Sequence, residues 1–340
     1  MYVFLPPSLL VLQRYPRESF SSHHTTNSIT PKSNSNSTPP IFSIPALDTL
    51  LPPSPSTPIL ELISPPPTHH PSSPGKTSLI NLIIAHAILP PKFSPSIPLS
   101  GQNATIILFD PLHHFSVPRL AGVMLNLLAT RIRETGRELD APTQSNMKNL
   151  VSRSLQHVHI FRPQSWSSLL PTLCALPEYL FDASRHKSMQ RRVHSIVLED
   201  IDAFVWSIRN SSSNAPDQTS NTHLSTASTL LSTTVQRLTC QLSCAAILTS
   251  HSTTPSSFRP AVPTNWPANA SVTRLAVRRV EVLQFKRVIS VEEAEVERAR
   301  RWGVVRKGRF ECWRVGGVKD EGGFVFRVGD MGVEIEEGEK

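Results

Sequence analysis

The chain is poor in the residues that mark several protein classes. It has four cysteines in 340 residues (Cys174, Cys240, Cys244 and Cys312), and none forms a CxxC pair. That excludes a disulfide framework, a zinc-ribbon module and a thioredoxin-like redox motif. It fits a reducing, intracellular compartment, with Cys240 and Cys244 read as small buried hydrophobes. No run reaches the roughly 18 uninterrupted apolar residues that a membrane span needs, so no membrane association is expected. The opening Met1-Tyr2-Val3-Phe4-Leu5-Pro6-Pro7 lacks a basic flank and is broken by proline, so it is not read as a signal peptide. Acidic excess is missing too: the net charge is +8, which favours nucleic acid or another acidic partner.

Glycine is scarce where one motif most needs it. Gly75-Lys76-Thr77-Ser78 leads into the mostly apolar run Leu79–Leu89 and reads as the second half of a phosphate-binding P-loop entering a helix. In G-x-x-x-x-G-K-[ST] the first glycine would fall on His70, inside a proline-rich stretch. Such loops cradle phosphate with inward-turned backbone N–H groups, and Pro71 and Pro74 remove two of those donors. An ordinary helix start is the plainer alternative for Gly75-Lys76-Thr77. Its place between a strand and an apolar helix favours the phosphate reading.

Proline is abundant and lopsided, with twenty of 31 in the first hundred residues. Residues 1–44, rich in Ser, Thr, Asn and Pro, cannot bury enough apolar surface to offset their ordering entropy and are expected to be disordered. From residue 45 to 335 strands alternate with helices. Strand candidates are Pro58–Ile63, Ala104–Asp110, His157–Phe161, Ser195–Asp200 and Cys244–His251. Helices are expected at 76–89, 118–135, 165–180 (interrupted at Pro171 and Pro177) and 230–242. A polar insert spans 210–221, a proline-rich loop 252–270 and an acidic tail 336–340. The pattern predicts an α/β fold, a mostly parallel sheet with helices on both faces. The segments after Ser271 (Arg274–Arg278, Arg309–Trp313, Gly323–Val328) are expected to add antiparallel strands at the sheet edge.

Ligands of open parallel sheets bind beyond the carboxyl ends of the strands. There the candidate nucleotide site gathers Gly75, Lys76, Thr77, Ser78, Glu199, Asp200 and His251. Mg²⁺ would fall to Thr77, Glu199 and Asp200. Glu199 and Asp200 equally fit a solvated strand end. The pairs His69-His70, His113-His114 and His157/His159 lack zinc-module spacing. Trp206 reads as a packing or interface residue. Arg274, Arg278, Arg279, Lys286 and Arg287 form a basic cluster, either a solvated face or a phosphate-contacting surface for DNA. A second cluster comprises Arg298, Arg300, Arg301, Arg306, Lys307 and Arg309.

Several ordered phrases then carry a resemblance. They are Pro58-Ile59-Leu60-Glu61-Leu62, Ile107-Leu108-Phe109-Asp110-Pro111-Leu112-His113-His114-Phe115 with Arg119-Leu120, and Ile196-Val197-Leu198-Glu199-Asp200-Ile201-Asp202-Ala203-Phe204-Val205-Trp206. Arg237-Leu238, Gly323-Phe324-Val325-Phe326 and Gly332-Val333 complete the set. Together, over about residues 46–335, the chain resembles the eukaryotic paralogues of the RecA-type recombinase, nearest the X-ray-repair cross-complementing branch in its fungal form. The resemblance implies a RecA-like P-loop core, ATP and Mg²⁺ as ligands, a nuclear location, other paralogue subunits and single-stranded or forked DNA as partners, and a role in double-strand break repair by homologous recombination. It also sets out departures. The family's catalytic base position holds Leu112, its Walker B aspartate position holds Glu199, and its γ-phosphate-sensing glutamine position holds His251. Together with His70 they make rapid hydrolysis improbable and leave no catalytic residue assigned. The alternative is a DNA-dependent ATPase that completes its site with a partner subunit.

Overall fold

The computed structural model describes residues 40–53, 57–66, 75–94, 97–210, 220–254, 257–280, 290–316, 323–330 and 332–336. The expected disordered segment lies outside these residues up to position 39, and so do His70, Pro71, Pro74, Lys286 and Arg287. Order begins earlier than the composition suggests. Phe42 and Ile44 are buried, and their backbone N–H groups donate to the Asp48 carboxylate at 2.9 and 3.2 Å. Gln102 and His194 hold the Ile41 carbonyl as well, so apolar burial and polar contacts together fix this short segment against the core.

The elements follow in order: α1 (Pro45–Asp48), β1 (Ile59–Ser64), α2 (Lys76–Ile88), β2 (Lys92–Phe93), β3 (Ile97–Pro98), β4 (Thr105–Phe109), α3 (Val117–Glu134), α4 (Ala141–Leu155), β5 (Val158–Phe161), α5 (Trp166–Cys174), α6 (Leu176–Leu180) and β6 (Val193–Leu198). A 3₁₀ turn at Ile201–Phe204 leads to α7 (Val205–Asn210), α8 (Ser220–Leu242), β7 (Ala245–His251), β8 (Val272–Arg279), α9 (Val291–Arg306), β9 (Arg309–Arg314), β10 (Gly323–Val328) and β11 (Val333–Glu336). The main sheet runs β11-β10-β9-β8-β1-β7-β6-β4-β5. The six strands from β8 to β5 are parallel, and β9, β10 and β11 pair antiparallel beyond β8.

Burial explains this layering. β1 is buried at all six positions, as a central strand covered on both faces must be. Leu60, Leu62, Ile106, Leu108, Val197 and Ile247 pack with α2, α3 and α4 on one face. Ile59, Ile107, Phe109, Ile196, Leu198 and Leu248 pack with α5, α7 and α8 on the other. The alternation is the two-residue period of a strand resolved into two cores. α2 is apolar nearly all round, as a helix enclosed by the sheet, α3 and the C-terminal strands should be. Local signals set the helix starts: Ser116 caps α3, Asp140 caps α4, and Ser165 with Ser168 forms a capping box on α5.

Several expectations need correction. β8 carries Arg274–Arg278 but runs parallel to β1, because the chain crosses back over the sheet before it; antiparallel pairing begins only at β9. Pro171 lies inside α5 and the break comes at Ala175, so one missing backbone donor is tolerated in a helix packed on α8. Residue 210 ends α7 and residues 220–221 start α8, which confines the polar insert to the undescribed 211–219. Glu336 belongs to β11 and pairs with Arg309, so the acidic tail starts one residue later. Cys244 and Cys312 are buried, but Cys240 and Cys174 are exposed. Among the described residues no helix is long and apolar enough to cross a membrane.

Gly75 couples the two parts of the sheet. It sits at φ +85°, and a Cβ built there would meet the Phe310 ring of β9 at 2.7 Å. Phe310 itself stacks on Phe326 of β10, with ring centroids 5.4 Å apart. Gly75→Ala is therefore expected to destabilise the fold by about 2–4 kcal/mol, from the left-handed backbone and the clash together. Denaturant unfolding checks this. Adding Phe310→Leu should return about 1 kcal/mol or more of that loss, the clash being the recoverable part.

Candidate functional site

The carboxyl ends of the parallel strands are stepped, with β1 and β7 running three residues beyond β6 and β4. Ser64 of β1 is opposite His251 of β7, Leu198 of β6 is opposite Leu248 of β7, and Phe109 of β4 is opposite Leu198. The chain leaves β1 towards β4 and leaves β7 in the opposite direction, towards β8. A crevice opens where neighbouring strands send the chain opposite ways, and it is the usual ligand position in open α/β sheets.

Lys76, the first residue of α2, occupies this point. Its side chain is buried, and Nζ donates to Ser64 Oγ and to the Ser250 carbonyl, both at 2.8 Å. Burial pushes the ammonium below its ordinary pKa, and Asp200, Asp202 and Glu199 oppose that shift. The next residue, Thr77, donates its hydroxyl to Glu199 Oε1. Ser78 follows, half-buried, in the first turn of α2. Gly75, Lys76, Thr77, Glu199, Asp200 and His251 are thus brought to one end of the sheet.

Glu199 ends β6 almost fully enclosed, with Oε2 buried and without a hydrogen-bond partner. Burial raises its carboxyl to about 7; Asp200 and Asp110 add to the rise, while the Thr77 hydroxyl and His114 work against it. Asp200 adopts a left-handed backbone (φ 47°, ψ 51°), fixed by its N–H donating to Thr249 Oγ1 at 2.8 Å. Its Oδ2 lies 2.8 Å from His114 Nδ1. Asp202 Oδ2 accepts from the His251 backbone N–H at 3.2 Å and lies 2.9 Å from His251 Nδ1. Burial alone would raise the Asp202 carboxyl, but His251, and then Lys76, outweigh it and hold it below its ordinary value. Asp110 ends β4 and is locked in place: its oxygens accept from the backbone N–H of His114 (2.9 Å) and Phe115 (3.3 Å), with the Arg162 guanidinium 3.8 Å away. Leu112, at the expected base position, is 47% exposed and carries no proton-transfer group.

Sequence reasoning missed Ser64, Asp202, Thr249 and Ser250 and set His114 aside with the other histidine pairs. Three of the partners here, Thr249, Ser250 and His251, are consecutive, and each serves a different group of the site: the Asp200 amide, the Lys76 ammonium and Asp202. The available signal was the abrupt switch of β7 from the apolar Ala245–Leu248 to three polar residues while the strand continued.

Three of the five residues of the basic cluster, Arg274, Arg278 and Arg279, are among the described residues. The Arg274 guanidinium bonds Glu61 Oε2 at 2.7 Å, Glu61 is buried, and Trp266 Nε1 donates to the other carboxylate oxygen at 2.8 Å. Arg278 pairs with Glu311 at 3.1 Å and lies over the Trp313 ring. Arg279 donates to the Val305 carbonyl at 3.0 Å and lies over Phe310. These arginines hold the sheet edge together, because long cationic side chains on a strand find partners across neighbouring strands. Trp206 is 68% exposed on α7. His157 and His159 converge on Ser188 Oγ, each at 2.9 Å.

Two measurements follow. The folded state binds the Glu199 proton more tightly than the unfolded state does. The stability this contributes is full below about pH 4.5 and is lost as pH rises through about 7. Glu199→Gln keeps the shape without the charge. Thermal melts should show little gain over the parent at about pH 5 and a gain of up to about 3 kcal/mol at about pH 8; equal gains at both would mean that Glu199 titrates normally. Arg274→Met should destabilise by about 3–5 kcal/mol by stranding the buried Glu61 carboxylate, and Glu61→Gln in the same chain should recover most of it. Lost DNA affinity at unchanged stability would instead make Arg274 a phosphate contact. Compared with known proteins, the chain matches no family model and no curated protein.

Proposed function

We propose that the chain is a RecA-like P-loop domain that binds a nucleotide triphosphate without rapid turnover and serves as a subunit of a recombinase-paralogue complex. In that role it supports double-strand break repair by homologous recombination in the nucleus, alongside partner paralogues on single-stranded or forked DNA. One observation carries the nucleotide part. A buried lysine at the start of a helix meets the carboxyl ends of β1 and β7, with the following threonine on the acid that ends β6. An ammonium held at this point is placed to meet phosphate, and backbone N–H groups at the start of α2 favour an anion.

The residues present fit Mg²⁺ as well as phosphate. The Thr77 hydroxyl touches Glu199, whose second oxygen is buried and unpaired, and a hydroxyl with a carboxylate is a hard oxygen pair. When bound, the ion would neutralise charge on the phosphate oxygens. Fast hydrolysis also needs a group to orient water. Leu112 cannot do this, and Asp110 is already committed to two backbone amides and Arg162. The recombinase part rests on the ordered phrases that resemble those paralogues, above all Ala203-Phe204-Val205-Trp206 after the acid-ending strand.

A fluorescent ATP analogue titrated into the full chain should bind saturably, and Lys76→Ala should weaken binding at least about tenfold, a loss of about 1.4 kcal/mol. Turnover should stay near background alone and with recombinase-paralogue subunits added. Turnover that appears with partners and vanishes in Lys76→Ala would instead identify an ATPase that completes its site with another subunit. Co-purification with those subunits tests the assembly, and a steep loss of DNA binding with salt would identify direct phosphate contact.

A further inference from the structure

Beside the lysine lies a second constellation with a different chemistry. Asp200, Asp202 and His251 each offer one ligand atom, and the three atoms lie within 4.8 Å of one another. They come from the end of β6 and the end of β7. The left-handed backbone at Asp200 turns the chain so that two acids, two residues apart, both reach the same place. His114, from the loop after β4, holds Asp200 from outside this group, with Nδ1 2.8 Å from Asp200 Oδ2.

The spacing is that of a coordination shell. Donors about 2.1 Å from one octahedral ion stand about 3 Å apart when adjacent. The contact between His251 Nδ1 and Asp202 Oδ2, at 2.9 Å, has this separation, which an ordinary hydrogen bond shares. The remaining Asp202 oxygen, Oδ1, is buried and without a hydrogen-bond partner, which is costly for a carboxylate unless a cation meets it. Charge points the same way. Glu199, Asp200, Asp202 and Asp110 surround this strand end, against the cations Lys76 and Arg162. With the Glu199 proton held, three carboxylates face two cations, so the group still carries one more negative than positive charge.

We propose that Asp200, Asp202 and His251 bind a divalent first-row transition-metal ion. Two carboxylates with one imidazole suit Mn²⁺, Co²⁺ or Zn²⁺ better than Mg²⁺, which prefers an all-oxygen shell. The site uses neither Thr77 nor Lys76 as a ligand and needs no nucleotide. The ligating imidazole binds as the neutral ring, its proton on Nε2 and the Nδ1 lone pair on the metal.

The test uses the full chain, stripped with a chelator and free of nucleotide, titrated with Mn²⁺ and followed by the electron-spin resonance signal of the free ion. One equivalent should bind below about 1 mM, and Asp202→Asn and His251→Gln should each weaken it at least about tenfold. Circular dichroism shows whether the variants fold. A measurement on the parent chain needs no variant: bound Mn²⁺ should broaden the ring-proton resonances of His251 and His114 before those of His157 and His159. No saturable binding, unchanged affinity in a folded His251→Gln chain, or broadening that spares His251 would each overturn the proposal. Because nucleotide is absent throughout, such a failure leaves the nucleotide-binding proposal standing. Conversely, loss of nucleotide binding in Lys76→Ala says nothing about this metal.

Discussion

A lysine ammonium that is almost fully buried must be met by polar groups, because an uncompensated charge in a protein interior costs several kcal/mol. Lys76 meets this requirement with Ser64 Oγ and the Ser250 carbonyl, and with the field of Glu199, Asp200 and Asp202. The partners come from β1, β6 and β7, so the lysine can be satisfied only when those three strands stand in their observed order and register. The local polar geometry and the sheet topology therefore depend on each other. A slip of one residue in β7 would remove the Ser250 carbonyl from Lys76, and it would also shift Thr249 from Asp200 and His251 from Asp202.

The carboxylates show the reverse dependence. Four acids gathered at one strand end repel each other, and Glu199 relieves part of that repulsion by holding its proton up to about pH 7. Asp202 stays ionised because His251 and Lys76 stabilise its charge. Two acids three residues apart are thus pushed in opposite directions by their surroundings. A cation entering the cluster, on a nucleotide or by itself, would favour release of the Glu199 proton, so cation binding and pH should be linked here.

Much of the architecture was legible in the sequence because its strands are buried on both faces. Ile106–Phe109 and Ala245–Leu248 are continuous apolar runs closed by polar residues, and Ile59–Ile63 is apolar but for Glu61; that pattern marks strand and strand end together. Lys76, Thr77 and Glu199 could be found for the same reason. Residues 141–155 were harder to assign: few of their positions are buried, so α4 carries a weak apolar stripe. α9 buries nothing at all, and its alternating acids and bases read as a charge cluster, although Ser290 and Glu293 form the capping box that starts it. The direction of β8 and the tertiary roles of Arg274, Arg278 and Arg279 had no local signature, because each depends on a partner distant in sequence. Glu61, read only as part of a strand, is the buried acid that claims Arg274.

The antiparallel strands are more than an edge extension, because they close on the start of α2. Phe310 of β9 lies against Gly75, and the Arg119 guanidinium at the start of α3 holds the Gly329 and Asp330 carbonyls between β10 and β11. Gly75 needs both a positive φ and the absence of a side chain, which makes it the tightest backbone position next to Lys76. The ring of Phe310, stacked on Phe326 and covered by Arg279, keeps that position from relaxing. Any ligand that moves the start of α2 must therefore also work against the β9–β10 hairpin. Arg279, which covers the Phe310 ring and donates to the Val305 carbonyl, is one of the residues packed around this hairpin.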